Sequence, residues 1–271
     1  MDPAQQYTAP TADVRAAVAD LMAAGVPGDG AQPLVAYHLA PGSPLGVIAR
    51  NTELAVFAGD FHETQATLSH EYAPYEDISG FFVVIDTTTG MPAGSSRYVD
   101  GGVGLNPTLC DLENIGTLPE VTREMRGLLE ANPRAWDLTT MEVHRKYRGH
   151  HDSYRTTGML ARMFVLAAET YDVPGLSLVA SERAYQAQIR AGFPQRLLSN
   201  EVLVYPDGIE LKVTWVDIRH AHPIMLDHLG KLRANAAKDP AVAQALPVLT
   251  PYIRGIATGA GYDQYLDMTP R

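Results

Sequence analysis

Cysteine is almost missing from this chain: Cys110 is the only one in 271 residues. No disulfide can close within it and no cysteine-rich metal cluster can form, which fits a reducing compartment. Positive charge is scarce as well, with 21 Lys and Arg against 31 Asp and Glu. The formal charge of -10 excludes nucleic-acid binding through a broad basic surface, because neutralising phosphates takes a concentration of cations. A local basic patch is still allowed. Long apolar runs are also lacking: nowhere do the roughly 18 apolar residues of a membrane span follow one another. The opening MDPAQQYTAPTADVRAAVADLMAAGVPGDG has no basic segment leading into an apolar one, so a soluble cytoplasmic protein is expected.

Three motif classes are missing. GGVGLNP, 101–107, is glycine-rich but opens no helix with Lys-Ser or Lys-Thr, so it fails as a nucleotide loop. Ser95 and Ser96 do not stand in the Gly-x-Ser-x-Gly pattern of a hydrolase elbow. His220, His222 and His228 could chelate a metal, but no carboxylate–histidine motif of known spacing accompanies them and no metal is expected.

What is present is a chain with 46% hydrophobic residues, enough for a substantial core. TADVRAAVADLMAAG predicts an appended helix ended by Gly25 and Pro27. PLVAYHLA and LGVIAR read as strands, or as a strand leading into a helix. One or two helices follow in NTELAVFAGDFHETQATLSHEY, with Asn51 or Thr52 as cap and Leu54, Phe57, Ala58 and Phe61 at helical spacing. GFFVVID, TTTGM and PAGSSRYVD form the clearest hairpin, β-branched and aromatic runs around a Thr/Gly turn. The segment from Gly101 to Glu120 is too rich in Gly and Pro for a regular element. Then come an amphipathic helix in EVTREMRGLLEANP, a strand in AWDLTTMEVH, a helix in YRTTGMLARMFVLAAETYDV and a buried strand in GLSLVAS. SERAYQAQIRAGF predicts a helix capped by Ser181, and strands around a Pro-Asp-Gly turn precede a final helical region. This order implies a mixed α/β sheet with at least one crossover.

Against the acidic background, Arg145, Lys146, Arg148 and Arg155 gather at one strand-to-helix junction, EVHRKYRG followed by YRTTGMLARMFVLAAE. A helix N-terminus is an anion site by its free N–H groups and dipole, Gly158 would admit a ligand close to the backbone, and Arg148 or Arg155 could pair with a phosphate. The alternative is a solvated basic turn balancing nearby carboxylates. This junction, the element order and SERAYQAQIRAGFPQRLLS together resemble the GNAT superfamily of acyltransferases, over roughly Gly80 to Ile218. The resemblance implies a GNAT-like fold over 35–225, an N-terminal extension at 1–34 and a C-terminal helical extension at 226–271. It also implies a fourth strand that splays from its neighbour, and a turn and helix tip that hold the pyrophosphate of acyl-coenzyme A. On that basis Val143, Arg148, Gly149, Arg155, Thr156, Thr157, Gly158 and Met159 are the expected donor contacts. RTTGML departs from the family signature in having Leu160 at its last position, and Tyr147-Arg148-Gly149 is the competing arginine-glycine pair.

Arg97 after the hairpin turn and Glu142 to Arg145 as Glu-x-x-Arg are similar to acyl-homoserine-lactone and N-acyl amino acid synthases. The Arg, Phe and Trp pattern of the lactone synthases is missing near the N-terminus, so lactone synthesis itself is not expected. The resemblance implies acyl transfer from acyl-CoA or an acyl carrier protein to a small amine. Glu142 would be the base, or else a sheet carboxylate paired with Arg97 or Arg145; His144, on the same strand face, is the other base or relay. The Val143 N–H would stabilise the oxyanion and Arg97 would contact substrate. Gln188 stands where the family often has a tyrosine acid, and Tyr185, one turn earlier, is its substitute. The terminal extensions could cap the pocket or form a homodimer. A module of the same fold that has lost catalysis and binds an acyl ligand or a protein partner is the alternative.

Overall fold

The computed structural model describes residues 11–26, 33–148, 150–191, 193, 195–206, 208–258 and 265–268. Its contacts divide into two compact units, Met1–Arg97 with Thr140–Met163 and Gly261–Arg271, and Tyr98–Thr139 with Phe164–Ala260. Strands β3 and β4 and helix α6, defined below, have residues in both.

The first unit begins with α1 (Thr11–Ala24) and β1 (Leu34–Leu39), followed by α2 (Val47–Asp60) and α3 (Gln65–Tyr72). A 3-10 helix at Ala73–Ile78 leads into the hairpin of β2 (Ser79–Asp86) and β3 (Met91–Val99). β4 (Trp136–Val143) ends here, followed by a 3-10 turn, Arg145–Tyr147, and the start of α6 (His150–Thr170). The strand order is β4-β3-β2-β1-β9, where β9 (Tyr265–Asp267) lies parallel to β1. β1 pairs antiparallel with β2 from Leu34↔Asp86 to Leu39↔Phe81. Ala17, Val18 and Leu21 of α1 share one apolar cluster with Val35, Tyr37, Ile48, Phe81 and Val83.

Two helices of this unit differ from expectation. α2 starts at Val47, so Asn51 and Thr52 lie inside it and bond back to the carbonyls of Val47 and Ile48 at 2.9 Å each, as short polar side chains do in mid-helix. Its buried residues are Ile48, Ala49, Arg50, Thr52, Glu53 and Val56, while Phe61 is exposed. The expected apolar stripe is rotated because Arg50 and Glu53 point inward. α6 begins at His150, which leaves Arg155 to Met159 beyond its first turn.

Gly94 is explained by close approach. A Cβ there would stand 2.6 Å from the Glu142 carbonyl oxygen and 2.6 Å from Thr156 Cγ2, so only glycine lets α6 and β4 come this near to β3.

In the second unit, α4 (Pro107–Ile115) occupies the stretch expected to be irregular. Asn106 accepts from the Leu109 N–H at 2.9 Å, Pro107 is the first helical residue and Gly116 ends the helix at φ 69°. Those are start and stop signals that outweigh the Gly and Pro content. α5 (Pro119–Ala131), β5 (Gly175–Ser181), α7 (Glu182–Ala191), β6 (Gln195–Leu197), β7 (Leu203–Val204), β8 (Glu210–Asp217), α8 (Ala221–Ala236) and α9 (Pro240–Thr258) complete the unit. Ser181 caps α7 as expected, accepting from the Ala184 N–H at 3.2 Å. The strand order is β4-β5-β8-β6, with β7 on β8. β5 pairs with β8 along its whole length, from Gly175↔Asp217 to Ser181↔Leu211, whereas its parallel pairing with β4 consists of Trp136↔Leu176 and Asp137↔Ser177.

Candidate active site

The first unit holds a buried charge network built by α2, β3 and β4. Arg97 on β3 is 0% exposed, and donates from Nε to Glu53 Oε1 at 3.0 Å and from Nη2 to Glu53 Oε2 at 2.8 Å. Its Nη1 reaches Glu76 Oε1 at 3.0 Å and Ser79 Oγ at 3.1 Å. Arg50 completes the set, donating from Nε and Nη2 to Glu76 Oε2 at 3.0 and 2.7 Å. The guanidinium of Arg97 lies 4.3 Å from the Tyr72 ring centre and 4.8 Å from that of Phe81, so its charge is also stabilised from its faces. Desolvation raises the Glu76 pKa, but the charges of Arg97 and Arg50 outweigh it and hold the carboxyl below the usual range. Arg97, expected to meet the substrate, is completely buried and bonded to Glu53 and Glu76.

Glu142 sits beside this network. Ser95 Oγ donates to its Oε1 at 2.5 Å, while Oε2 is buried with no hydrogen-bond partner among the described residues. Thr140, two residues earlier on the same strand face, donates from its hydroxyl to Glu53 Oε1 at 2.7 Å. Burial, and next the negative charge of Glu53, push the Glu142 carboxyl well above the ordinary range; hydrogen bonds from Ser95 and Thr140 and the charge of Arg97 oppose this without reversing it. The alternative for Glu142, an ion pair with Arg97 or Arg145, is not what the structure has: Arg97 holds Glu53, and Arg145 donates to Asp60 and the Gly59 carbonyl.

His144 follows on the strand face, half-buried. Its Nδ1 accepts from the Lys146 N–H at 3.3 Å, which leaves the ring proton on Nε2 in the neutral form. Burial, then the charges of Arg148 and Lys146, lower its pKa. Its own N–H donates to the Ala93 carbonyl at 2.9 Å across to β3. By strand alternation the Val143 N–H therefore points to the opposite edge, where the Val143 carbonyl accepts from Arg148 Nε at 2.7 Å.

The basic turn is anchored at two ends. Tyr147 donates from its hydroxyl to Asp86 Oδ2 at 2.6 Å, tying the turn to the hairpin. Desolvation acts to raise the Asp86 pKa, but hydrogen bonds from Thr88, Tyr147 and Thr89 pull it down to about 2. Arg145 and Arg148 meet on Asp60, at 3.1 and 2.5 Å. Arg155 is exposed, while Thr156, Thr157, Gly158 and Met159 are buried. Thr156 Oγ1 is buried without a partner among the described residues. Gly149 lies outside the described residues.

Tyr185 belongs to the second unit, on α7, with Lys212 Nζ 5.7 Å from its ring centre. Gln188 is buried and accepts from Gln195 Nε2 at 3.1 Å. His220 bonds Asp217 at 2.9 Å, and no group of three or more His, Cys, Asp or Glu able to hold a metal occurs among the described residues. The residues missed from the sequence are Arg50, Glu53, Glu76, Ser95 and Thr140. The one available signal was Arg50 and Glu53 at i, i+3 beside Ala49 and Val56 on a short helix.

Comparison of the whole chain decides the architecture. A CoA-dependent acyl-homoserine lactone synthase, BjaI, solved with SAM and isopentyl-CoA, matches at TM-score 0.51 and 14% identity, covering 88% of this chain and 95% of that one. The fold is GNAT-like. FeeM, an N-acyl amino acid synthase from uncultured soil microbes, matches at TM-score 0.50 and 11% identity over 70% of this chain and 93% of its own. No family model matches the sequence, and no curated protein does. No helix among the described residues is long and apolar enough to cross a membrane. The GNAT-like sheet thus carries, in its first unit, a high-pKa carboxyl next to a closed set of ion pairs.

Proposed function

We propose that the protein is an N-acyltransferase that moves an acyl group from acyl-CoA or an acyl carrier protein to an amine. The observation that carries this reading is Glu142: a buried carboxyl with raised proton affinity and an unpartnered oxygen, at the end of β4 just before a basic turn and a helix tip. A general base works best with a pKa near the operating pH, and burial beside Glu53 moves Glu142 that way.

The donor's pyrophosphate would rest on the first free N–H groups of α6, with Arg148 shifting from Asp60 to phosphate and Arg155 added from solvent. Its thioester oxygen would meet the Val143 N–H. Glu142, with His144 as relay, takes a proton from the attacking amine. The N–C bond forms, the C–S bond breaks, and the departing thiolate takes its proton from water. A cytoplasmic setting, a carrier-protein partner and a homodimer belong to the same reading. BjaI, an acyl-homoserine lactone synthase, and FeeM, an N-acyl amino acid synthase, share the fold, and that likeness favours acyl chemistry.

The second reading is a GNAT-like module without catalysis, which binds an acyl ligand or a protein. One observation favours it: Arg145 and Arg148 are both engaged by Asp60. Mixing the protein with a panel of acyl-CoA compounds and primary amines while following free thiol separates the two. Amine-dependent thiol release with the amide found by mass spectrometry is expected; binding without release overturns the enzyme reading.

A further inference from the structure

The buried network contains unequal numbers of opposite charges. Two guanidiniums, Arg50 and Arg97, stand with three carboxyl groups, Glu53, Glu76 and Glu142. Glu53 takes a paired interaction from Arg97, and Glu76 takes two bonds from Arg50 and one from Arg97. Glu142 is the surplus acid. It is 4% exposed and forms no ion pair among the described residues; the hydroxyls that bear on it, those of Ser95 and Thr140, are neutral. Among the described residues no further cation forms an ion pair with it; α6, whose Thr156 approaches β3 and β4 at Gly94, carries Arg155, which is exposed, and Arg162, which is buried. α2 contributes Arg50 and Glu53, β3 Arg97, the preceding 3-10 helix Glu76, and α3 Tyr72. On its own strand follows His144, whose environment favours the neutral ring, and Arg145 beyond is held by Asp60. An unpaired carboxylate in such surroundings takes up a proton in place of staying charged.

We infer that the acceptor is an alkylammonium ion and that its docking at Glu142 expels one proton from that carboxyl to solvent. The inference rests on the acyltransferase reading for the acceptor's role. The balance is simple: an ammonium and a carboxylic acid come together, an ammonium–carboxylate pair remains, and one proton leaves. Passing one ammonium proton to Glu142 then yields the neutral amine at the carboxyl, with no change in the total. A neutral acceptor such as an alcohol brings no charge to offset. It leaves Glu142 protonated and unable to act as base, so the surplus acid selects amines over alcohols before chemistry begins.

The test follows the Glu142 carboxyl itself by NMR, in protein carrying carbon-13 at the glutamate carboxyls, with the resonance assigned by its loss in Glu142→Gln. The probes are n-butylammonium chloride and the neutral 1-pentanol. In the free protein Glu142 is expected to titrate above the ordinary carboxylate range. n-Butylammonium at saturation should lower that midpoint by about one pH unit or more, a roughly tenfold change in proton affinity, and 1-pentanol should leave it in place. A free protein with Glu142 ionised at pH 5, or a midpoint that n-butylammonium leaves unmoved, overturns the inference. Thiol release tests the enzyme reading separately: release with an unmoved midpoint defeats only the cation linkage, and a moved midpoint without release defeats only the catalysis.

Discussion

Glu142 and Asp137 lie on one strand and meet burial with different hydrogen-bond support. Asp137 accepts from the Thr108 N–H at 3.2 Å, Ser177 Oγ at 2.8 Å and Thr139 Oγ1 at 3.2 Å. Ser177 in turn accepts from Asn106 at 2.7 Å, so the acid ties the start of α4 to β5. Burial still prevails over these bonds and raises Asp137 to about 6. Because the folded pKa lies above the unfolded one, the native state keeps a proton that the unfolded chain has lost between about pH 4 and 6. Its contribution therefore falls as pH rises through that window, by about 3 kcal/mol in all. Urea unfolding of wild type and Asp137→Asn at intervals across this range checks it: the difference in stability between them should shift with pH, and parallel curves would contradict the sign. At this scale Glu142 and His144 were picked out as candidates because they belong to a short motif on a recognisable strand. Glu53 and Arg50 were not, since charged side chains on a helix are ordinarily assigned to solvent. Only their bonds to Arg97 and Glu76 bring them inside.

Among the elements, the junction of β3, β4 and α6 depends most on one small residue. At Gly94 a methyl group would have to displace the backbone oxygen of Glu142 or the start of α6. Gly94→Ala is expected to cost about 1–3 kcal/mol through overpacking. Its melting temperature should drop, and a mutant as stable as wild type would show that the approach is looser than described. The hairpin was legible because alternating β-branched and aromatic runs surround a turn. α4 was missed although Asn106, Pro107 and Gly116 announce both its ends; glycine content was given more weight than cap position. α6 was found, but its beginning was set too late. The polar run from His150 to Ser153 has no apolar periodicity to mark it as helix.

At the scale of the whole molecule, the mixed sheet with crossovers was legible from element order alone, because strand and helix periodicities alternate clearly from Gly80 to Ile218. The roles of the ends were not. α1 places Val18 and Leu21 in the first unit's core, and the short β9 joins the sheet beside β1, pairings over long sequence separation that local pattern does not encode. The GNAT-like fold leaves activity to be argued from its residues. The most direct measurement compares amine-dependent thiol release by wild type and Glu142→Gln, with coenzyme A affinity determined for both. The account predicts equal affinity and a loss of turnover of about 10²–10⁴-fold in the variant, the usual contribution of a general base. A variant that turns over as fast as wild type would contradict it.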